Sequence, residues 1–301
     1  MFFERRPVSY AYLSHASDGR PDALAPSFGI IAIMLRYLLL ALLAIAFDTS
    51  AIVIRNDVDD AEYRVSPTEF PALADMPGEG HGVLIAPRWV VTAAHAVAWQ
   101  SEIKQVTILG KPRNVARIVM HPGYRKPPQV LLDQALVTWD WALFRAELWA
   151  SDDIALIELA EPVADVVPAA LYPAEDEFGK TVRVIGKGAT GNGVAGYEFS
   201  SSHRTELRRA YNKISSAYGR WLCYTFDAPK DALPLEGGSG SGDSGGPVLI
   251  RNERGWSLAG LTSWVDPQTT LKTPGRYGQI SCNIRIGHYR EWIESVVAPR
   301  S

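Results

Sequence analysis

Short apolar runs broken by turn signals dominate the chain after residue 80. Val83-Leu84-Ile85-Ala86 leads through Pro87-Arg88 into Trp89-Val90-Val91-Thr92, which predicts two short strands joined by a tight turn. Lys104–Leu109, Asn114–Met120, Ile154–Leu159, Thr181–Ile185, Pro247–Arg251 and Ser257–Trp264 have the same character. Strands at this spacing predict an all-β barrel or sandwich, not βαβ units. No internal repeat of solenoid length interrupts them.

Two stretches follow a different period. Tyr289, Trp292, Ile293, Val296 and Val297 fall at i, i+3, i+4, i+7 and i+8, so a C-terminal helix with one apolar face must dock on the body. Leu131–Ala150 holds good helix formers and neither Gly nor Pro, and reads as an inserted helical segment packed on the surface. Its Trp residues read as core, not as a cofactor box.

The N-terminal stretch Phe28–Phe47 is nearly continuous apolar sequence. As a membrane anchor it would place Arg36 near its middle, at about 2.5–3.5 kcal/mol. If synthesis starts at Met34, Met34–Tyr37 becomes a basic n-region and Leu38–Phe47 the apolar core of a secretory signal peptide. Residues 1–33 are then a non-native extension and 34–51 the signal, which makes the product secreted or periplasmic, with no stable membrane association once it is cut. Anchoring by residues 28–47 is the alternative. Cleavage fits after Ala46 or after Ala51; the second exposes Ile52-Val53 as a new N-terminus.

Composition narrows the chemistry. With 47% hydrophobic and 21% charged residues over 301 positions, the chain has ample material for a core. A net charge of -3 leaves no basic surplus for nucleic acid. Two cysteines, Cys223 and Cys282, allow at most one internal disulfide and too few thiolates for an all-cysteine zinc site. No metal or cofactor is expected.

Gly242-Asp243-Ser244-Gly245-Gly246-Pro247 closes a Gly/Ser-rich run and passes straight into a strand. A flexible linker seldom needs so sharp a junction. Glycines here let the backbone take positive φ and let a carbonyl approach main-chain N–H groups. No Gly-Lys-Ser/Thr follows, so a phosphate-binding loop is excluded. Thr92-Ala93-Ala94-His95-Ala96 ends an apolar strand, its small neighbours letting backbone crowd an imidazole. Asp152-Asp153 opens the strand Ile154–Leu159, where a carboxylate at the core edge can reach that imidazole. His81, His121 and the Arg204, Arg208, Arg209 group near Glu206 read as secondary: an outer support, a loop histidine and a solvated face.

In this order, TAAH at His95, DIAL at Asp153 and GDSGGP at Ser244 make the chain resemble the chymotrypsin/trypsin-like serine peptidases, over about residues 52–298. We read it as a bacterial-type secreted member. The resemblance implies two packed antiparallel β-barrels, one over 52–165 carrying the 131–150 insertion and one over 166–301 with the terminal helix. It implies a serine endopeptidase acting on protein or peptide substrates as a monomer: Ser244 the nucleophile, His95 its base, Asp153 the orienting carboxylate, and the Gly242 and Ser244 amides an oxyanion hole. Asp153 is chosen over Asp152 because strand alternation points neighbours apart.

The resemblance further implies an ion pair between Asp243 and the freed amine of Ile52, although Ile54-Arg55 stands where the family has Gly-Gly. Two family disulfides are absent, with Ala96 and Gly240 at their positions, while Cys223 and Cys282 can pair in an oxidising compartment. Gly238, Ser263, Trp264 and Val265 fall on the family's substrate pocket. Gly238 stands where trypsin-type enzymes carry an acid and Val265 where deep pockets have Gly, so small or medium apolar residues are expected before the cut, with Glu236 the substitute acid should Arg be preferred. A catalytically inactive binding module is the alternative function; an esterase would use the same residues.

Overall fold

The computed structural model describes residues 52–100, 102–198, 206–270 and 273–298. The expected extension, signal peptide and anchor (residues 1–51) lie outside them. A two-residue strand, β1 (Val53–Ile54), precedes six strands that close a first barrel: β2 (Leu73–Asp75), β3 (His81–Ala86), β4 (Trp89–Ala93), β5 (Gln105–Ile108), β6 (Lys111–Met120) and β7 (Ile154–Leu159). β8 (Thr181–Gly186) opens the second half, with β9 (Gly191–Asn192), β10 (Arg208–Tyr218), β11 (Trp221–Thr225), β12 (Gly237–Gly238), β13 (Pro247–Asn252), β14 (Gly255–Val265) and β15 (Ile280–Arg285) after it. Of these, β8, β10, β11, β13, β14 and β15 close a second antiparallel barrel, and β1 lies between β9 and β12.

The alternation read in the sequence becomes burial. All five residues of β4 are buried, as are Ile154–Ile157 of β7, which pairs with it Trp89 to Glu158 through Ala93 to Ile154. One apolar cluster joins Val90, Val91 and Leu156 to Leu249, Leu258 and Ile284, so the barrels share a core. The terminal helix (Arg290–Val297) buries Ile293 and follows a 3-10 turn that buries Tyr289. His121 packs edge-on against Tyr289 and Trp292 at 5.4 and 5.0 Å between ring centres, which makes it a loop anchor for that helix.

The insertion departs from expectation. It is a hairpin of two helices, Gln129–Thr138 and Ala142–Ala150, broken at Trp139, whose φ is +59°. No Gly or Pro makes the break. Thr138 Oγ1 donates back to the Gln134 carbonyl and Asp140 accepts from the Ala142 amide, so polar side chains end one helix and cap the next. Ala135 and Trp141 are buried, but Val130, Leu136, Val137, Trp139 and Leu143 stay exposed, so only part of its apolar surface is core.

The Arg cluster is also corrected. Arg208 is fully buried and its guanidinium meets both oxygens of Asp60 at 2.6 and 2.7 Å; Arg209 reaches Glu69 at 3.1 Å. These arginines tie the segment before the first barrel to β10 and are not a solvated face. Arg204 lies outside the described residues. Cys223 and Cys282 face each other across β11 and β15 and are disulfide-bonded.

Candidate active site

His95 stands in the first turn of the short helix Ala94–Ala98, entered directly from β4. Its N-cap residue, Ala93, has no side chain to satisfy the free amides. Asp153, at the mouth of β7, does so instead: its Oδ1 accepts from the His95 amide at 2.7 Å and its carbonyl from the Ala94 amide at 3.1 Å. The same carboxylate meets His95 Nδ1 through Oδ2 at 2.6 Å, and Ser263 Oγ donates to that oxygen at 2.5 Å. The Asp153 carboxylate is thus held by three donors. Asp152 points elsewhere, accepting from Tyr289 Oη at 2.9 Å and pairing with Arg220 at 2.9 Å.

Ser244 comes from the second barrel. Its Oγ lies 2.8 Å from His95 Nε2. With Nδ1–H donating to Asp153, Nε2 is left to accept from the hydroxyl. The turn that carries Ser244 is fixed by backbone: its carbonyl accepts from the His81 amide at 2.7 Å, Gly245 N–H donates to Thr262 and Gly246 N–H to Asp243. His81 therefore supports the nucleophile through its main chain, as an outer support.

Gly242 has φ +89°, a conformation costly for any residue with a Cβ. The Gly242 and Ser244 amides make no hydrogen bond among the described residues, so two donors stand free beside the nucleophile.

Burial pulls the His95 imidazole down, but the charge and hydrogen bond of Asp153, with the charge of Glu79, outweigh it and leave the group above its ordinary value. Asp243 is the opposite case. Its carboxyl is 1% exposed and burial raises it to about 7, although it accepts from the Gly188 and Gly240 amides at 2.7 and 2.8 Å. A Cβ on Gly186 would sit 2.0 Å from its Oδ1, so glycine there makes room for the acid.

The expected partner of Asp243, Ile52, is still in peptide linkage in the uncleaved chain. Ile52 is buried with φ +65°, and Val53 pairs with Gly238 and Gly191, but the nitrogen of Ile52 is an amide bonded to Ala51 and the carboxyl's partners are the two glycine amides. The Asp243–Ile52 ion pair is an expectation for the chain cleaved after Ala51, where Ile52 would carry a free amine.

A cleft of about 420 Å³ lies beside Ser244, with Ser239, Ser263, Trp264 and Val265 in its wall. Gly238 does not border that cleft; it pairs with Val53 through β12, and a Cβ on it would meet Gln279, Phe226 and Ser281 at ordinary contact distances of 3.7–3.9 Å. Its neighbour Ser239 does border the cleft, and its hydroxyl donates to Ser281 Oγ at 3.3 Å. Glu236 lies away from the cleft as well: it is buried and spends its oxygens on the Asp227 and Leu233 amides. Glu79, which accepts from Ser241 Oγ at 3.2 Å, is the carboxylate that does line the cleft. Nothing in its surroundings of Pro77, Gly78 and Gly80 marks it in the sequence. Among the described residues no cluster of His, Cys, Asp and Glu is arranged to hold a metal.

The arrangement joins a hydroxyl, an imidazole and a carboxylate in one hydrogen-bonded row beside two free amides. Such a row can strip a proton from an alcohol and stabilise an oxyanion.

Comparison with known proteins agrees with this architecture. The trypsin family model matches residues 61–293. The chain is 26% identical over 283 residues to putative trypsin-6 of Homo sapiens, covering 86% of this chain and 99% of that one. It is 27% identical over 256 residues to trypsin 5G1 of Aedes aegypti, covering 78% and 83%. The solved structure of neuropsin, a serine protease expressed in the limbic system of mouse brain, superposes with a TM-score of 0.57 at 21% identity, covering 78% of this chain and 98% of that one, which speaks for the fold. These relatives are animal proteins and give no support to the bacterial-type reading. With both barrels closed and the family model spanning them, the chain belongs to the trypsin family.

Proposed function

We propose that the chain is a secreted serine endopeptidase that cleaves peptide bonds through an acyl-enzyme. The observation that carries this is the continuous row Ser244 Oγ, His95 Nε2, His95 Nδ1 and Asp153 Oδ2, with spacings of 2.8 and 2.6 Å. Ser244 attacks the scissile carbonyl while His95 takes its proton. The Gly242 and Ser244 amides receive the charge that develops on the carbonyl oxygen. His95 then protonates the leaving amine, and water repeats the sequence to release the acyl group. Asp153 holds the tautomer that makes His95 a base and balances the imidazolium.

The residue before the cut is small or medium and apolar. Val265 narrows the wall of the cleft, and Gly238 stands where an acid would hold a Lys or Arg side chain. Processing after Ala51 gives Ile52 a free amine, the natural counter-charge for the buried Asp243 carboxyl. Secretion through the 34–51 segment fits the disulfide, which belongs to an oxidising compartment. Among the described residues no helix is long and apolar enough to cross a membrane.

The test is hydrolysis of a denatured protein by the chain beginning at Ile52, with products mapped by mass spectrometry. Cuts after Ala, Val or Leu that vanish in both Ser244→Ala and His95→Ala support the proposal. Intact substrate, with the chain folded, refutes it; rapid cuts after Arg or Lys refute the specificity.

A further inference from the structure

Two acids stand at the mouth of β7, and the triad uses only Asp153. Asp152 is not a spare surface charge. Its side chain is 15% exposed and sits where separate stretches of chain converge. Gly123, just beyond β6, makes room for it, since a Cβ there would lie 1.9 Å from Asp152 Oδ2. The Gly123 carbonyl accepts from the Asp152 amide at 3.2 Å, and His121 Nδ1 stands 3.4 Å from the same Oδ2.

The other oxygen turns toward the second half of the chain. Tyr289 Oη donates to Oδ1 at 2.9 Å, and Arg220, in the turn between β10 and β11, pairs with it at 2.9 Å. Burial and the charge of Asp152 hold the Tyr289 phenol above its ordinary range, so it donates and does not ionise. Arg220 is itself fixed on both sides. Its guanidinium donates to the Trp149 carbonyl at 3.2 Å, and its own carbonyl accepts from the Arg285 amide of β15 at 2.8 Å. One cation therefore grips the chain before and after Ser151, immediately ahead of the triad acid.

A grip at this point matters because the triad is divided. His95 and Asp153 come from the first barrel and Ser244 from the second, so the row of 2.8 and 2.6 Å contacts survives only while the barrels keep their offset. The Asp152–Arg220 pair spans that division one residue from a triad member. It also neutralises Asp152 without touching the oxygens of Asp153, which are taken by His95 and Ser263.

We infer that Asp152 and Arg220 are positioning residues: their ion pair, buttressed by Tyr289, holds Asp153 in line with His95 and Ser244 across the two barrels. This rests on the peptidase reading, and the experiment separates the two.

Chains beginning at Ile52, as parent, Arg220→Gln, Asp152→Asn and Tyr289→Phe, are labelled to completion with a fluorophosphonate to count competent sites. Values of kcat and KM per site are then measured across pH on one peptide that the parent cuts. Arg220→Gln should lose roughly tenfold to a hundredfold in kcat, up to the scale of a misplacement of about 1 Å, with KM nearly unchanged. The acidic limb of kcat/KM gives the readout that loss of stability cannot move. Removing a cation near an imidazole raises its pKa by charge alone, whereas a displaced Asp153 carboxylate lets it fall. The limb should therefore move down, toward the ordinary histidine value of about 6.5. Asp152→Asn should move it the same way, and Tyr289→Phe, which removes one hydroxyl and no charge, in smaller measure; these two carry the test should Arg220→Gln fail to fold. A kcat equal to the parent's, or a limb that moves up in Arg220→Gln, overturns the inference and leaves the peptidase reading intact. A folded parent that takes no label and cuts no peptide overturns both.

Discussion

The buried Asp243 makes the stability of the uncleaved chain depend on pH in an unusual direction. A carboxyl free in the unfolded chain titrates near 3.9, whereas burial holds Asp243 at about 7 in the folded state. Between those values the native state binds the proton more tightly than the unfolded state. Its favourable contribution is therefore complete below about pH 4, falls as pH rises and is gone above about 7. A separation of about three units at 1.36 kcal/mol each amounts to on the order of 4 kcal/mol. Asp243→Asn has no proton to lose, and its amide oxygen can still accept from Gly188 or Gly240. The assay is urea unfolding at pH 4.5, 6 and 8 of the chain with Ile52 still joined to Ala51, in a Ser244→Ala background to prevent self-digestion. The parent should lose several kcal/mol relative to Asp243→Asn between pH 4.5 and 8. In the chain beginning at Ile52 the new ammonium offsets the carboxylate, and most of that slope should disappear. Parallel pH profiles for parent and Asp243→Asn would refute the reasoning.

Three further predictions concern other contacts. Asp153→Asn should lower kcat by about 10^4, the scale known for this chemistry, and the acidic limb of the parent's kcat/KM profile should lie above the ordinary histidine value of about 6.5, since Asp153 holds His95 upward; stopped-flow hydrolysis across pH measures both. Asp60→Ala leaves the fully buried Arg208 without its carboxylate and should cost about 3–5 kcal/mol in urea unfolding. Replacing Cys223 and Cys282 by Ala opens a loop with a sequence separation of 59 and should cost up to about 4 kcal/mol on chain-entropy grounds, read from the same unfolding curves.

The parts of the site legible in the sequence are those with local signatures. The strand before His95, the acid opening β7 and the glycine turn at Ser244 each lie within a few residues of the group they position. Asp153 could be separated from Asp152 because a strand's alternation is a local rule. What escaped depends on distant partners. Arg208 looks like a surface charge until Asp60, 148 positions away, closes on it. β10 interleaves charged and apolar residues, so its pairing with β8 was not evident. The helix break at Trp139 is written in two hydrogen bonds of Thr138 and Asp140, not in Gly or Pro. An apolar recess of about 380 Å³ beside His95 draws walls from five separate stretches of chain, among them Trp99, Tyr124, Phe144, Trp221 and Trp264, and no window of sequence contains it.

The most direct test is the site of covalent capture. The chain beginning at Ile52 is treated with a fluorophosphonate, digested and mapped by tandem mass spectrometry, with His95→Ala in parallel. The account predicts one adduct, on Ser244, formed orders of magnitude more slowly when the imidazole is removed. An unmodified Ser244 in folded protein, or equal rates with and without His95, would contradict it.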